Sequence, residues 1–350
     1  VKPEVSVICI TYNQVDYIQD ALDGFVNQET DFSYEVIVHD DASTDGTADV
    51  VCEYAERYPN LIMPILQTKN QLSLGKGGIR DYALPAARGR FVALCEGDDY
   101  WISAKKLQVQ HDLMASNPGV SLCVHNALVV DYGHNCLFLS ESSSGNRMKS
   151  MEDVVIEGGG RINPTASMFF RKELLGEGFA GAPVGDHFYL MDLASKGDVA
   201  WIAEPMSVYR LMSRGSWSVR HSGIDAKAQE GYCRAYVGAL DQVESRNPGK
   251  YTTSIQARKK FQLDLLGEEV LTALFAGGAI RLPRLFKEAT SGKTIAKAMT
   301  RRYLPPNAQR FVGRAYAIRN AKRAGTLVSR STKDLPDWAL PLSGKGAGKA

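Results

Sequence analysis

The sequence predicts an α/β fold: a mostly parallel sheet with helices on both faces, followed by a helical, basic carboxyl-terminal extension. Three observations predict it. Short apolar runs rich in branched residues recur through the first hundred positions, stretches with helical spacing separate them, and turn-forming residues follow them. The runs are Val5–Ile10, Glu35–His39, Leu61–Leu66 and Phe91–Cys95. Helical spacing appears at Tyr17–Val26, Thr47–Tyr58 and Gly78–Ala87. Strand and helix in alternation give parallel neighbours, because a crossover helix returns the chain to the same end of the sheet. Beyond residue 100, helical spacing returns at 103–116, and the run from Val120 to Val130 is almost wholly apolar. Ser140–Asn146 and Gly158-Gly159-Gly160 are breaks. Ala166–Phe170 and Ala200–Ile202 read as strands, with Phe188–Lys196 as the helix between them. Ala226–Leu274 is helical in pattern. The division that follows is a sheet-bearing domain over 1–225, a helical region over 226–333 that turns basic at 281, and a flexible tail over 334–350.

Composition narrows the class. With 44% hydrophobic and 23% charged residues the chain is neither disordered nor collagenous. No stretch approaches the roughly 18 apolar residues a bilayer span needs. The first apolar run leads into Thr11, Tyr12 and Asn13 without a cleavage site, so no secretory signal is read. Six scattered cysteines without a C-x-x-C support neither a zinc site nor a disulfide framework, and a reduced, cytoplasmic setting is expected. Charge is divided sharply. Residues 1–280 carry 25 Lys and Arg against 36 Asp and Glu, whereas 281–333 carry 14 against Glu288 alone. An acidic body with a basic appendage points to two jobs in one chain.

Familiar phosphate loops are missing. No G-x-G-x-x-G follows the first strand, and Gly292-Lys293-Thr294 lacks the earlier glycine of a Walker loop because position 287 is Lys. The strand ends offer acid instead: Asp40-Asp41 after the second and Asp98-Asp99 after the fourth. In open sheets, ligands bind at the carboxyl ends of the strands. Two acidic loops there would repel a phosphate unless a hard cation joined them, which suits Mg²⁺ or Mn²⁺ beside a diphosphate. Helix capping by Ser43 or Asp45 and a solvated turn at Asp98-Asp99 are the competing readings.

These residues resemble family 2 glycosyltransferases of the GT-A fold. The likeness rests on Val5-Ser6-Val7-Ile8-Cys9-Ile10-Thr11-Tyr12-Asn13, on Asp40-Asp41-Ala42-Ser43-Thr44-Asp45-Gly46-Thr47 and on Glu96-Gly97-Asp98-Asp99. It extends to Gly185-Asp186-His187 and the block Glu204–Arg210, in the family's order. The resemblance implies a nucleotide-sugar half over about 1–100 and an acceptor half over 101–225. It implies donor binding by Tyr12, Asp41, Asn70, Arg80 and Asp98, with Tyr12 against the base and Asp41 accepting from a base N–H. Asp98 and Asp99 would hold Mn²⁺ or Mg²⁺, with Glu96 standing where the family has a first Asp and acting through water. Asp186 would be the general base of an inverting transfer, and N-capping of the following helix is its competing reading. His187, Arg210, Arg214 and Trp217 would belong to the acceptor side or to a flap over the diphosphate, although Leu211-Met212 stand where the family has a histidine. Trp101 reads as core.

The implied enzyme is a metal-dependent, inverting hexosyl- or N-acetylhexosaminyl-transferase. It would use a nucleotide sugar, a UDP-sugar first, and a glycan or lipid-linked acceptor in surface polysaccharide synthesis. A sugar-nucleotide pyrophosphorylase-like nucleotidyltransferase and a non-catalytic nucleotide- or glycan-binding module are the alternatives. The former lacks its early Gly-rich basic loop, and the latter would predict a damaged acidic site. Residues 308–324 set Phe311, Ala315 and Ile318 and, one position round, Val312 and Tyr316 on one helical face, with Arg310, Arg314, Arg319, Lys322 and Arg323 elsewhere. Such a helix suits an anionic membrane surface at the inner face of the membrane, or else packs on the acidic body. Nucleic acid is not expected as a partner, since no recognised module accompanies the charge.

Overall fold

The computed structural model describes residues 2–142, 145–221, 226–275 and 306–342. The amino-terminal half alternates as read: β1 (Val5–Thr11), α1 (Ile18–Val26), β2 (Tyr34–Asp40), α2 (Thr47–Arg57) and β3 (Ile62–Leu66). A π-turn at Gly78–Ala83 runs into α3 (Leu84–Ala86), then β4 (Phe91–Glu96), β5 (Tyr100–Trp101) and α4 (Lys106–Ser116). Next come β6 (Val120–Asp131), β7 (Cys136–Leu139), β8 (Arg147–Lys149), α5 (Met151–Glu157) and β9 (Phe169–Arg171). They are followed by α6 (Asp186–Ala194), β10 (Asp198–Leu211) and α7 (Trp217–His221). Two long helices, α8 (Ala226–Arg246) and α9 (Thr252–Phe275), then α10 (Pro306–Arg323) and β11 (Leu327–Ser329), complete the described chain. The helical stretch from Ala226 breaks where Pro248 removes a donor and Gly249 takes a φ of 74°.

The sheet runs in the order β11-β7-β6-β9-β4-β1-β2-β3, with β10 alongside β6. From β3 to β4 all pairs are parallel, and β6 and β10 are parallel to each other. β9 is antiparallel to both β4 and β6 and so joins the two parallel sets.

Strand alternation divides the core. Val5, Val7 and Cys9 of β1 and Phe91, Ala93 and Cys95 of β4 face α1, α2 and α4. Ile8, Val92 and Leu94 face the other way, onto the π-turn, α5, α6, α8 and α9. Trp101 is fully buried among the first set, its indole N–H donating to the Ala166 carbonyl at 3.0 Å. Tyr236, Ala239, Leu240 and Val243 form the helical stripe by which α8 joins the second face.

The carboxyl terminus corrects one expectation. Residues 334–342 are not a free tail: Leu335 and Ala339 pack with Tyr100, Ile102 and Leu128, and the Tyr100 hydroxyl donates to the Ala339 carbonyl at 2.9 Å. A buried tyrosine hydroxyl needs a partner, and this segment supplies it. Residues 276–305, which include 281–305 of the basic region, and 343–350 of the tail lie outside the described residues. Among the described residues no helix is long and apolar enough to cross a membrane.

Candidate active site

The loops after β1, β2 and β4 gather at one end of the sheet, because parallel neighbours finish on the same side. The first two are sewn together. The Asn13 N–H donates to the Ser43 hydroxyl at 2.8 Å, and the Gln14 N–H donates to the Thr47 hydroxyl at 2.8 Å. The Thr44 N–H returns a bond to the Asn13 side chain at 2.8 Å, and Asn13 and Ala42 hold positive φ of 54° and 65° to allow it. Asp40 accepts from the Ser43 N–H and Asp45 from the Thr47 N–H, so these two carboxylates organise the turn into α2. Asp41 sits differently. Its two oxygens accept the N–H groups of Gln71 (2.6 Å) and Leu72 (3.1 Å), tying the 70–72 turn to the crevice with lone pairs left over. Asn70 braces the same turn, donating to the Asp41 carbonyl at 3.3 Å and accepting from the Ser73 N–H. Tyr12 lies half-buried where β1 ends. Arg80 crosses to the other half of the sheet, bonding the Gly176 carbonyl and lying over the Tyr189 ring at 5.1 Å.

The loop after β4 is acidic and enclosed. Val92 and Leu94 face α6, so Glu96, two positions further, points the same way, toward the amino end of that helix, where Asp186 stands. Burial and the neighbouring charges of Asp98 and Asp186 push Glu96 up to about 8, with Arg220 acting against them. Gly97 lets the loop pass Thr11 and Gln14: a Cβ there would meet Gln14 Oε1 at 2.6 Å. Asp98 takes bonds from Gln14 and from the Ser213 hydroxyl, and burial still raises its pKa. Asp99 is fully buried. Its Oδ1 accepts the Arg210 N–H at 2.8 Å, its Oδ2 has no partner, and burial with Asp98 and Glu96 holds its pKa well above the usual carboxylate range.

Arg210 is not on a flap. It is buried behind the acidic loop, donating to the Asp98 carbonyl at 2.9 Å and to Asp20, between the rings of Tyr100 and Tyr17. Its place follows from β10, which pairs with β5 directly after the loop. Asp186 occupies the first turn of α6 without capping it, since Gly185 is the cap residue. Its Oδ2 accepts the Gly160 N–H at 2.7 Å, and a Cβ on Gly159 would come within 2.2 Å of that oxygen. Burial raises the Asp186 pKa, while the His187 and Gly160 N–H groups and the Arg258 charge lower it. His187 turns away from the crevice into the core. Its Nε2 donates to the Val154 carbonyl at 2.9 Å and its Nδ1 accepts from the Tyr236 hydroxyl, and burial lowers its pKa to about 3.

After β10 the chain doubles back over the crevice as a strap. Met212 and Gly215 take positive φ, the Ser213 hydroxyl reaches Asp98, and the Arg214 N–H donates to the Tyr17 hydroxyl at 3.3 Å. Trp217 lies on this strap, 44% exposed and stacked on His221 at 3.9 Å. Arg214 is exposed and pairs with Asp16 at 3.9 Å. Three residues of the site carry no sequence signal of their own. Gln14 is an ordinary amide after a strand, Arg220 is one basic residue among many, and Arg258 lies far along the chain on α9.

The carboxylate oxygens suit a hard divalent cation. One Asp99 oxygen is orphaned, Asp98 raises the pKa of both Glu96 and Asp99, and Glu96 raises that of Asp99, an excess of negative charge that a cation would offset. Among the described residues no three metal-binding side chains form a complete cage. One or two carboxylates are enough for a cation that completes its shell with phosphate and water.

The fold has counterparts among known proteins. The profile described as Glycosyl transferase family 2 matches residues 6–179, from β1 to the turn ahead of α6. An uncharacterized protein of Mycobacterium tuberculosis is 36% identical over 216 residues, 61% of this chain and 60% of its own length. The match thus spans less than two thirds of that relative. Staphylococcus aureus TarS 1–349 in complex with UDP-GlcNAc aligns with a TM-score of 0.54 at 20% identity, covering 85% of this chain and 90% of that one. A Pyrobaculum calidifontis mannosyltransferase in complex with GDP-Man and Mn²⁺ aligns at 0.51 and 20% identity, covering 92% and 83%. At that identity the two structures speak for the fold, which is that of GT-A enzymes. With the profile running through both acidic loops of the crevice, the chain belongs to glycosyl transferase family 2.

Proposed function

We propose that the chain transfers a hexosyl or N-acetylhexosaminyl group from a nucleotide sugar, a UDP-sugar first, to a hydroxyl of a glycan or lipid-linked acceptor, with inversion, in surface polysaccharide synthesis. The observation that carries this reading is the acidic loop at 96–99 facing Asp186 across one crevice, close enough for Asp186 to raise the pKa of Glu96. The UDP-GlcNAc bound by the staphylococcal neighbour supports the donor class, and the Mn²⁺ bound by the archaeal one supports the metal.

In this reading Tyr12 and Asp41 receive the base, and Asn70 keeps the turn beside it in place. Asp98, with Asp99 or Glu96, would hold Mn²⁺ or Mg²⁺. When bound, the metal supplies positive charge for the departing nucleoside diphosphate. Arg220, whose charge reaches Glu96 from the strap, adds a second cation at the same end. Asp186 takes the proton from the acceptor hydroxyl as that oxygen attacks the anomeric carbon opposite the leaving group. One carboxylate suffices, since inversion forms no covalent enzyme intermediate. The Gly160 and His187 N–H groups hold that carboxylate in place and favour its ionised form.

The test is a thermal-shift screen of UDP, GDP, UDP-sugars and GDP-mannose, with and without Mn²⁺. Specific binding raises the melting temperature by mass action, and the expected result is a rise with uridine nucleotides that Mn²⁺ enlarges. A rise with no nucleotide, or one indifferent to Mn²⁺, would reject the reading.

A further inference from the structure

α10 and β11 frame a groove of about 800 Å³, distinct from the acidic crevice. Five cations line it, Arg314, Arg319, Lys322, Arg323 and Arg330, together with Ile318. Packing and charge are separated on this helix. Ala321 and Ile318 lie against Val129, Cys136 and Phe138 of the sheet, and β11 pairs with β7, so the apolar residues are used by the body. The charges are not. Among the described residues, none of the five cations forms an ion pair with a carboxylate. Arg314 donates to the Arg330 carbonyl, while its Nε is buried without a partner. Packing on the body therefore accounts for where the helix sits but leaves its charge unmatched.

Five cations around one groove repel one another and call for an anion from outside the chain. We propose that this groove is a docking site for anionic phospholipid headgroups, seating the protein on a bilayer surface. Three features favour a lipid surface over a soluble polyanion. Tyr316 is 61% exposed and shares its helix face with Arg319 and Arg323 at i, i+3 and i+7, the mixture of ring and cation that settles at headgroup level. Val328, on β11 beside the groove, is 38% exposed. Residues 281–305 of the sequence add seven more Lys and Arg against one Glu immediately before the helix. The proposal stands apart from the transfer reading, because it concerns another face and is read by lipid binding.

The experiment is co-sedimentation of the full chain with vesicles of phosphatidylcholine alone and of phosphatidylcholine mixed with phosphatidylglycerol, at low and high salt. The expected result is binding to the anionic vesicles only, released by salt as surface charges are screened. Each Lys or Arg near such a surface strengthens partitioning by about fivefold, so Arg319→Gln with Arg323→Gln should weaken it by about 25-fold. Both side chains are exposed, so the melting temperature should stay with the wild type's. Arg319→Lys with Arg323→Lys keeps the charge and should keep the binding. Equal partitioning of the glutamine pair and the wild type would overturn the proposal. So would binding to neutral vesicles, loss of binding in the lysine pair, or capture of RNA or inorganic diphosphate without capture of vesicles.

Discussion

Asp186 and Glu96 carry the same functional group into the same crevice, yet their surroundings separate them. Asp186 receives two backbone N–H groups and the nearby Arg258 charge, all of which favour its ionised form. Glu96, crowded by Asp98 and Asp186, has only the exposed Arg220 to offset them. Burial raises the pKa of both, but backbone donors favour the ionised form of Asp186, whereas Glu96 is pushed up to about 8. Asp186→Asn keeps the shape and removes the basicity, so turnover should fall by about 10²-fold or more while donor affinity stays within a few-fold. Coupled turnover and calorimetric donor binding measure the two quantities. Turnover near the wild-type value would leave Asp186 with the glycine loop as its only duty.

At the scale of elements, the surroundings of Asp186 are set by a helix from much later in the chain. α9 lays Arg258 beneath the loop that binds Asp186: a Cβ on Gly158 would touch the guanidinium at 2.8 Å, and Arg258 also donates to the Tyr236 hydroxyl at 3.1 Å. Its positive charge lowers the Asp186 pKa, so removing that charge must raise it. Asp186, the proposed base, would then remain protonated to higher pH. Arg258→Gln should therefore shift the acid limb of the kcat–pH profile upward and leave the plateau above it, whereas Arg258→Lys should hold the limb in place. A uniform loss at every pH, with the limb unmoved, would make Arg258 a packing residue only. Such long-range placements explain what the sequence could and could not convey. β1 to β4 were legible because their runs are five to seven residues long with clear alternation and turn chemistry between them. β5 and β11, of two and three residues, are too short for any period to register. Asp41, Asp98 and Asp186 stood out as acids at strand ends and before a helix. Arg258 could not, because only the packing of α9 on α5 and α8 brings it to them. Arg210 and His187 were legible as neighbours of chemistry, but strand and helix phase turned both side chains inward.

For the whole molecule, the last described residues close the structure they seemed to trail from. β11 extends the sheet beyond β7, and Leu335 and Ala339 cover Tyr100 and Leu128. A chain ending at Arg323 would expose that edge and strip Tyr100 of its acceptor. The loss of strand pairing and apolar cover should lower the melting temperature by on the order of 5 °C. Unfolding by differential scanning calorimetry measures it, and an unchanged transition would show the terminal segment to be passive. The six free cysteines carry a separate consequence. Five are buried, one each on β1, β4, β6, β7 and α8, and burial raises the pKa of every one of them; Cys52 on α2 alone is half-exposed. A thiol-specific reagent would therefore modify Cys52 at once and wait for the rest until the backbone opens around them. The chain carries its own set of clocks: the order in which the five become modified is the order in which the sheet and its covering helix come apart.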